Sequence, residues 1–325
     1  MNPTATNQTR LDEYEQAFFD EQLALVKSRT YDVKHKALKA LQLLPVSTEQ
    51  DPGADRIIWR SYDAVGVAKI VSDYANDFPR ADVGGEEHTS PVKDIGSSYG
   101  YSLKEIRRAQ KAGVSLDAKR AEACRRAIDE KQDKIAWFGD AKAKLPGFIN
   151  AAGISEYVAA YNAGNTSKAW ADKTADEIVA DIAGIITAPG EATNGIENPD
   201  TLILPLSLYN KIKTTPYGAN RDKTILGFIR ENYPDITRID WVSDLATAGA
   251  GGKSRVMAYS RDPMKVEVQI PQRLEQFPPQ QKGLAFDIIC AQATGGTLLY
   301  YPLSVVFCDG LWDYLLKVPT GGVRR

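Results

Sequence analysis

The sequence predicts an α+β fold, and three observations indicate it: a long amphipathic helix, a central stretch of alternating helices and strands, and a C-terminal series of strands. The long helix follows from a single stripe of apolar residues at spacings of three, four and seven: Ala121, Cys124, Ile128, Ile135 and Phe138. Apolar runs bounded by glycine and proline predict the strands. A chain of this kind needs its strands to find partners far away in sequence.

The composition is that of an ordinary globular protein, long enough for two or three domains. Of the 325 residues, 43% are apolar and 25% are charged. The net charge of −2 argues against bulk electrostatic binding of nucleic acid or membranes by the whole molecule. No run of about 20 apolar residues predicts a membrane span, and the polar residues 1–10 lack the apolar core of a signal peptide. We therefore expect a cytoplasmic chain whose three distant cysteines, Cys124, Cys290 and Cys308, are buried thiols.

The first 53 residues are predicted to form an arm. Residues 1–8 are expected to be disordered, and helical patterns follow over 11–31 and 33–44, the second closed by Pro45. Each helical piece is too short to fold alone, and no partner sheet is evident nearby. The arm is therefore expected to pack on something else.

Residues 56–98 predict an extended excursion that cannot form its own core. Strand-like residues at 57–59 and 62, and again over 91–98, flank a stretch over 78–85 that is rich in strand breakers. Such a long excursion is uncommon in a compact monomer. In an assembly, a neighbouring chain would supply the missing contacts.

A short helix and a long helix are predicted over 99–140. Ser102 and Glu105 fit a capping box, and Gly113 fits the left-handed end of the short helix. Ser115 is suited to cap the long helix, and Gly139 to end it. At about 1.5 Å per residue, over twenty residues give a rod of roughly 30 Å, which is expected to lie across a sheet.

The rest of the chain is predicted to alternate and then to turn to strands. Thr174 and Glu177 fit a second capping box, and Pro189-Gly190 is expected to end its helix. Pro302 places the last strand at an edge, or starts it after the proline. The further predicted elements are a strand over 199–204, helices over 205–212 and 224–232, and strands over 236–242, 255–259, 266–270, 284–292 and 297–307.

Several of these segments resemble one family of tailed-phage major capsid proteins, which have the HK97-like fold. The resemblance rests on stretches at the loop, the helices and the central region: Ser-Asp-Tyr-Ala-Asn-Asp-Phe-Pro at 72–79, Tyr-Ser-Leu-Lys-Glu-Ile at 101–106, 109–113, Leu-Asp-Ala at 116–118, Ile-Ala-Trp-Phe-Gly-Asp at 135–140, Pro-Asp-Thr-Leu-Ile-Leu-Pro at 199–205 and Thr-Ile-Leu-Gly-Phe-Ile at 224–229. In that fold the long helix is called the spine.

The resemblance implies a domain order and a function. The order is an N-terminal arm (1–53), an extended loop (54–101), the spine helix of the P-domain (102–145), an inserted A-domain (146–264), and the P-domain sheet return with the C-terminus (265–325). The implied function is self-assembly, through pentamers and hexamers, into an icosahedral shell around double-stranded DNA, built in the host cytoplasm and resident in the virion. Portal, scaffold and decoration proteins are further implied partners.

No enzyme chemistry, cofactor or metal site is predicted. Gly252-Lys253-Ser254 invites comparison with a phosphate-binding loop, but Thr247 stands where that motif needs glycine, and β-prone residues follow in place of a helix. The two histidines, His35 and His88, have no cysteine or acidic partner at a metal-binding spacing. No Gly-x-Ser-x-Gly elbow nominates a nucleophilic serine.

Two sets of charged residues are the candidate contact sites. In the extended loop, charged groups are expected to meet neighbouring subunits: Asp73, Asp77, Arg80, Glu86, Glu87 and Lys93. Residues 104–144 hold twelve Lys and Arg against seven Asp and Glu. That excess fits either a solvated helix face with i,i+4 ion pairs or an inner wall that makes unspecific contacts with packaged DNA. The residues of the second interpretation are Arg107, Arg108, Lys119, Arg120, Arg125 and Arg126.

Two rival functions remain open at this point. An encapsulin-like nanocompartment shell would share the fold and enclose a cargo enzyme. A soluble α/β enzyme or binding domain would instead be a compact monomer or small oligomer with a folded 56–98 region and a deep pocket.

Overall fold

The computed structural model describes residues 36–65, 82–112, 119–218 and 222–312, and the side chains within them except at 62–65, 82–84, 108–110 and 112. The fold below is that of one compact unit that begins at Leu38. It mixes helices and sheets, as the α+β prediction requires.

Six α-helices lie in the described ranges. The longest, α3, has 20 residues and therefore a length of about 30 Å. The helices are α1 (Ala40–Leu43), α2 (Leu103–Ala112), α3 (Lys119–Phe138), α4 (Ala175–Ala192), α5 (Leu206–Thr214) and α6 (Ile225–Asn232).

The strands form three larger sheets and two hairpins. They are β1 (Val46–Ser47), β2 (Arg56–Val65), β3 (Asp82–Pro91), β4 (Lys93–Ser102), β5 (Ser155–Glu156), β6 (Thr201–Leu204), β7 (Pro216–Tyr217), β8 (Lys223–Thr224), β9 (Arg238–Trp241), β10 (Arg255–Tyr259), β11 (Val266–Gln269), β12 (Gln272–Gln276), β13 (Gln280–Lys282), β14 (Ala285–Thr294), β15 (Gly296–Leu299) and β16 (Val305–Asp309).

The largest sheet has the order β5-β16-β10-β6-β9 and is buried on both faces. Along β6, Leu202 and Leu204 enter one apolar cluster with α4, α5 and α6, while Ile203 enters a second cluster with α1 and the end of α3. Since side chains alternate between the two faces of a strand, this partition shows a sheet between two cores.

The second sheet lies under the first half of the long helix. Its central strand β14 pairs with all ten residues of β4 on one side and with β12 and β13 on the other. Cys124 and Ile128 of α3 pack with Cys290 of β14. The prediction that the helix lies across a sheet is confirmed.

A two-stranded hairpin precedes this sheet. Strands β2 and β3 pair in antiparallel register from Arg56–Pro91 to Val65–Asp82, over ten pairs. Within the described residues they form a sheet of their own. The predicted extended excursion is therefore confirmed over 56–65 and 82–91. It is wrong over 93–98, because these residues belong to β4 and pair with β14 in the second sheet.

Both predicted capping boxes are present. The Ser102 N–H donates to Glu105 Oε2 (2.9 Å) and the Glu105 N–H donates to Ser102 Oγ (3.2 Å). Thr174 and Glu177 form the same reciprocal pair at the start of α4. The predicted end of α4 at Pro189-Gly190 is wrong, because the helix continues to Ala192. Pro189 lacks an N–H and so removes one helical hydrogen bond, but the Thr193 N–H still closes the last turn on the Pro189 carbonyl (3.1 Å).

The end of the predicted arm needs correction. Its described part has a partner within the chain, because β1 pairs in parallel with β11. Leu43 and Leu44 are fully buried in the second apolar cluster. Only residues 40–43 of the predicted 33–44 helix are helical in the described part, and the 11–31 helix lies outside the described residues.

The C-terminal strands differ from prediction in part. Strands β12 and β13 were not predicted, and the predicted strand over 297–307 is divided by a 3-10 turn at Pro302–Ser304. Of the two alternatives for Pro302, the later start is confirmed and the edge position is wrong, because β16 begins after that turn and lies inside the five-stranded sheet between β5 and β10. A division of the chain at residue 264 therefore separates β16 from the strands with which it pairs.

Candidate assembly surfaces

The hairpin β2–β3 is anchored only at its base among the residues whose side chains are described. Ile57 is buried and packs against Gly295, where a Cβ would lie 2.6 Å from Ile57 Cδ1. Ser90 Oγ donates to the Gly295 carbonyl (3.1 Å) and is also buried. Ile58, on the other face, is 53% exposed. The hairpin is thus tied to the core at one end, and apolar surface is left uncovered beside the tie.

The predicted contact residues of the loop divide into two groups. Asp73, Asp77 and Arg80 lie outside the described residues. Glu86 and Glu87 are exposed on β3, and Lys93 is exposed at the start of β4.

The Glu87 side chain accepts a hydrogen bond from Arg60 Nε across the hairpin, at 3.2 Å. Both side chains of that pair are at least half exposed, so it contributes little to stability. The role of Glu86, Glu87 and Lys93 in contacts between subunits stays a prediction.

Arg120 joins the first turn of α3 to the start of α2. Its guanidinium donates to both oxygens of Glu105 (2.9 and 3.3 Å) and to the Gly100 carbonyl (2.7 Å). It also stacks over the Tyr101 ring, 5.0 Å from the centroid. Arg120, followed by the Ser102 N–H, lowers the pKa of Glu105 to about 2. Arg120 therefore positions two helices, a role that its place in the basic cluster did not indicate.

The other basic residues of this cluster lie on or beside the two helices. Arg107 on α2 and Lys119 and Arg125 on α3 are exposed. Arg126 pairs with Glu130 one helical turn later (2.8 Å). Arg108 lies on α2, with its side chain outside the description. The structure thus supports an ion-paired helix face in part, and the DNA contacts remain a prediction.

The apolar stripe of α3 explains why the basic side chains stay outside. The buried residues of α3 include two polar ones, Gln132 and Asp133. The others are Cys124, Ile128, Ile135, Ala136 and Trp137. Ala136 and Trp137 enter the second core, and Thr297 Oγ1 donates to the Ala136 carbonyl (2.7 Å). The long helix therefore connects the β14 sheet to the core under the five-stranded sheet.

The remaining sequence candidates are resolved by local structure. Residues Ala250–Gly252 form a 3-10 turn, and strand β10 follows Lys253-Ser254, so a helix N-terminus that could bind phosphate is missing at this described site. All three cysteines are buried thiols, as predicted. In the described part of the chain, no three His, Cys, Asp or Glu side chains cluster as metal ligands would.

No helix among the described residues combines the length and the apolar character needed to cross a membrane.

Sequence reasoning missed the aromatic contacts at the base of the hairpin. Trp59 stacks on His88 with centroids 5.4 Å apart and meets the Tyr300 ring edge-on at 5.9 Å. The sequence carries no signal for the contact between Trp59 and Tyr300, because these two residues are over 200 residues apart.

Comparison with known proteins gives a consistent result. A family model described as major capsid protein matches residues 66–311. No curated protein matches the sequence significantly.

Solved structures with similar folds include viral and virus-like shells. The capsid of Myoviridae phage XM1 is 21% identical and has a TM-score of 0.72 over 87% of this chain and 95% of that chain. The capsid of a native GTA particle is 9% identical, with a TM-score of 0.61 over 86% and 93%. A virus-like particle from Pyrococcus furiosus is 14% identical, with a TM-score of 0.53 over 82% and 91%.

Proposed function

Because the chain belongs to the major capsid protein family, whose model matches residues 66–311, we propose that its copies assemble through pentamers and hexamers into an icosahedral shell around the double-stranded DNA of a tailed phage. The shell-forming role follows from the family, and the fold is the HK97-like fold that the resemblance implied. Membership of the major capsid protein family favours neither a nanocompartment that encloses a cargo enzyme nor a soluble α/β enzyme.

The observation that carries the proposal is the hairpin. Strands β2 and β3 extend for ten residues each, yet pair only with each other among the described residues and are tied to the core at Ile57 and Ser90. An isolated two-stranded hairpin is at best marginally stable in water. Contacts with a second copy would stabilise it, and many such contacts add by multivalency.

The mechanism that we propose is association without turnover. Each copy contributes a core of two apolar clusters and the hairpin β2–β3. Hairpins that interlock between copies would bury a large area per subunit, as the interfaces of permanent assemblies do. We propose the predicted division of the chain into arm, loop, spine, A-domain and P-domain return with one change: β16 is assigned to the A-domain, because it pairs with β10 and β5.

Other partners and the place of assembly belong to the same proposal. We expect unspecific contacts with packaged DNA on one face, with portal, scaffold or decoration proteins as further partners and the host cytoplasm as the place of assembly. These expectations depend on the resemblance to tailed-phage capsid proteins and on the basic residues of α2 and α3.

The first test is the state of the purified chain. Size-exclusion chromatography and negative-stain electron microscopy should find closed hollow particles tens of nanometres across. A stable 35.7 kDa species that never forms particles would contradict the proposal.

A second variant tests the role of the hairpin. Residues 60–89 are replaced by a short glycine-containing turn, which keeps the anchors Ile57 and Ser90. We expect a folded subunit with an unchanged thermal midpoint and no closed particles. Particles that form normally without residues 60–89 would show that the hairpin is not required for assembly.

A further inference from the structure

A groove of about 430 Å³ lies where the base of the hairpin meets strands β11 and β15. The groove is lined by three residues of β2, by the two residues after β15, and by residues in and before β11: Trp59, Arg60, Ser61, Tyr300, Tyr301, Pro263, Met264 and Glu267. Tyr301 is 56% exposed and Met264 is 74% exposed. The groove therefore leaves aromatic and thioether surface uncovered in the single chain.

The aromatic walls are held in place by contacts within the chain. Trp59 stacks on the His88 ring and makes a T-shaped contact with Tyr300. Tyr300 Oη donates to Glu267 Oε2 (3.3 Å), which holds the second ring against β11. Rings ordered before binding lose little entropy when a ligand enters.

Glu267 is a half-buried carboxylate that forms no ion pair among the described residues, and Arg60, which also lines the groove, is paired with Glu87 across the hairpin (3.2 Å). Its Oε2 atom accepts hydrogen bonds from Gln269 Nε2 (2.9 Å) and Tyr300 Oη (3.3 Å). Burial raises the pKa of Glu267, and the charge of nearby Glu49 acts in the same direction. The nearest lysine along the strand, Lys265, is already bound to Glu197 (2.6 Å). A positive charge that entered the groove would relieve this desolvated negative charge.

We propose that this groove binds a lysine or arginine side chain from a second copy of the chain, held between the aromatic rings and the Glu267 carboxylate. Aromatic faces attract cations, and a carboxylate forms charge-assisted hydrogen bonds with them. The occupant is a second copy because the inference rests on the proposed shell function, in which subunits meet their own kind. The groove lies at the base of the hairpin, so the proposed contact lies beside the hairpin.

The test compares two conservative variants. Glu267→Gln removes the charge and leaves an amide oxygen that still accepts from Gln269 and Tyr300. Glu275→Gln makes the same change on β12, where an exposed carboxylate likewise accepts from a glutamine amide, Gln272 Nε2 (2.6 Å). We expect Glu267→Gln to require about tenfold more subunit for assembly, the effect of losing about 1.4 kcal/mol per contact, and Glu275→Gln to assemble as the wild type does.

Two further measurements separate the contact from stability and from the shell function. The thermal midpoint of unassembled Glu267→Gln should equal or exceed that of the wild type, because a desolvated charge is removed. A cryo-EM map of the wild-type particle should place a basic side chain of a neighbouring copy within about 6 Å of the ring centres.

Wild-type particles with an empty groove, or with an apolar side chain in it, would overturn the inference and leave the shell function intact. Equal assembly of Glu267→Gln and wild type would do the same. A wild-type chain that never forms particles would instead overturn the shell function.

Discussion

Lys173 and Asp181 form an ion pair that is nearly excluded from water, with 1% and 3% of their side chains exposed. Lys173 Nζ lies 2.5 Å from Asp181 Oδ2 and also donates to the Ala160 carbonyl (2.7 Å). The same carboxylate oxygen accepts from Trp170 Nε1 (2.9 Å). This network fixes the segment before α4 onto the helix, at the edge of the first apolar cluster.

Removal of the lysine should be costly. In Lys173→Met, the Asp181 carboxylate would be left buried with one indole N–H for compensation, and burial alone already raises its pKa. We expect a loss of about 3–5 kcal/mol in the free energy of unfolding, the range for breaking a buried pair. Urea denaturation followed by circular dichroism measures it.

An exposed pair provides the control. Lys223 and Glu231 approach to 2.6 Å, but their side chains are 47% and 58% exposed. Lys223→Met should cost less than about 1 kcal/mol. A comparable loss in both variants would show that burial of the first pair is not the reason for its effect.

At the scale of single elements, the start of α2 depends on a carboxylate. The Arg120 guanidinium, with the Ser102 N–H, stabilises ionised Glu105 and lowers its pKa from 4.5 to about 2. Because the pKa is lower in the folded state, this stabilisation is complete above pH 4.5 and is lost as the pH falls toward 2.

The corresponding prediction concerns Arg120→Met. The Glu105 midpoint, measured by carbon-13 NMR titration of its carboxyl group, should move up toward 4.5. Glu177 offers a control in the same spectrum, since the Thr174 N–H is the largest cause of its lowered pKa. An unchanged Glu105 midpoint in the variant would show that Arg120 does not hold this carboxylate.

The end of the long helix depends on a close backbone approach. Gly139 takes a left-handed conformation (φ +68°), which ends α3 as predicted. The chain then returns so that the Phe148 and Ile149 N–H groups donate to the Ala136 and Trp137 carbonyls (3.0 and 2.9 Å). These donors satisfy carbonyls that a helix end would otherwise expose.

Gly147 allows this return, because a Cβ there would overlap the backbone nitrogen of Gly139. Gly147→Ala should therefore destabilise the fold by at least about 1–3 kcal/mol, as overpacking does. Thermal unfolding in a calorimeter measures the loss. Gly227→Ala in α6 is the control, since its Cβ would lie 3.6 Å from Thr224 Oγ1 in ordinary contact, and it should be neutral or stabilising. Gly147→Ala with unchanged stability would mean that the loop shifts freely.

Sequence patterns predicted those elements whose signals are local. The capping boxes at Ser102 and Thr174 place a hydroxyl and a carboxylate three residues apart, so the helix starts were evident. The sheet that β16 would join was not evident, because its partners on β10 lie about fifty residues away and any apolar strand has the same pattern. Pro189 misled because this helix tolerates the loss of one N–H donor and continues for three more residues.

At the scale of the whole molecule, the chain combines a well-packed core with a hairpin whose strands pair only with each other among the described residues. The need for partners was predictable, because 56–98 lacks enough apolar residues for a core of its own. The groove at Trp59, Tyr300 and Glu267 was not, since it depends on the distance at which the hairpin base meets β15. The family match over 66–311 shows the shell-forming role, and we propose that both features contribute to it.

The basic residues of α2 and α3 supply the last prediction. Arg107, Lys119 and Arg125 are exposed, whereas Arg120 is needed to hold Glu105 and is left unchanged. If their face meets DNA, the triple change to glutamine should weaken binding of double-stranded DNA by unassembled subunits at low salt. The slope of log affinity against log salt should fall by up to about 0.9 for each phosphate that the variant no longer neutralises, and fluorescence anisotropy measures both.

The matched control removes three positive charges from the helices beside the five-stranded sheet, with Lys211, Lys213 and Arg230 changed to glutamine. If only net charge matters, both triple variants should weaken DNA binding equally, because each makes the subunit more negative by three charges. If the face of α2 and α3 is specific, only the first variant should change the salt slope. Because phosphate contacts release counterions where they form, the difference between the two slopes separates a DNA-facing wall from an ion-paired helix surface.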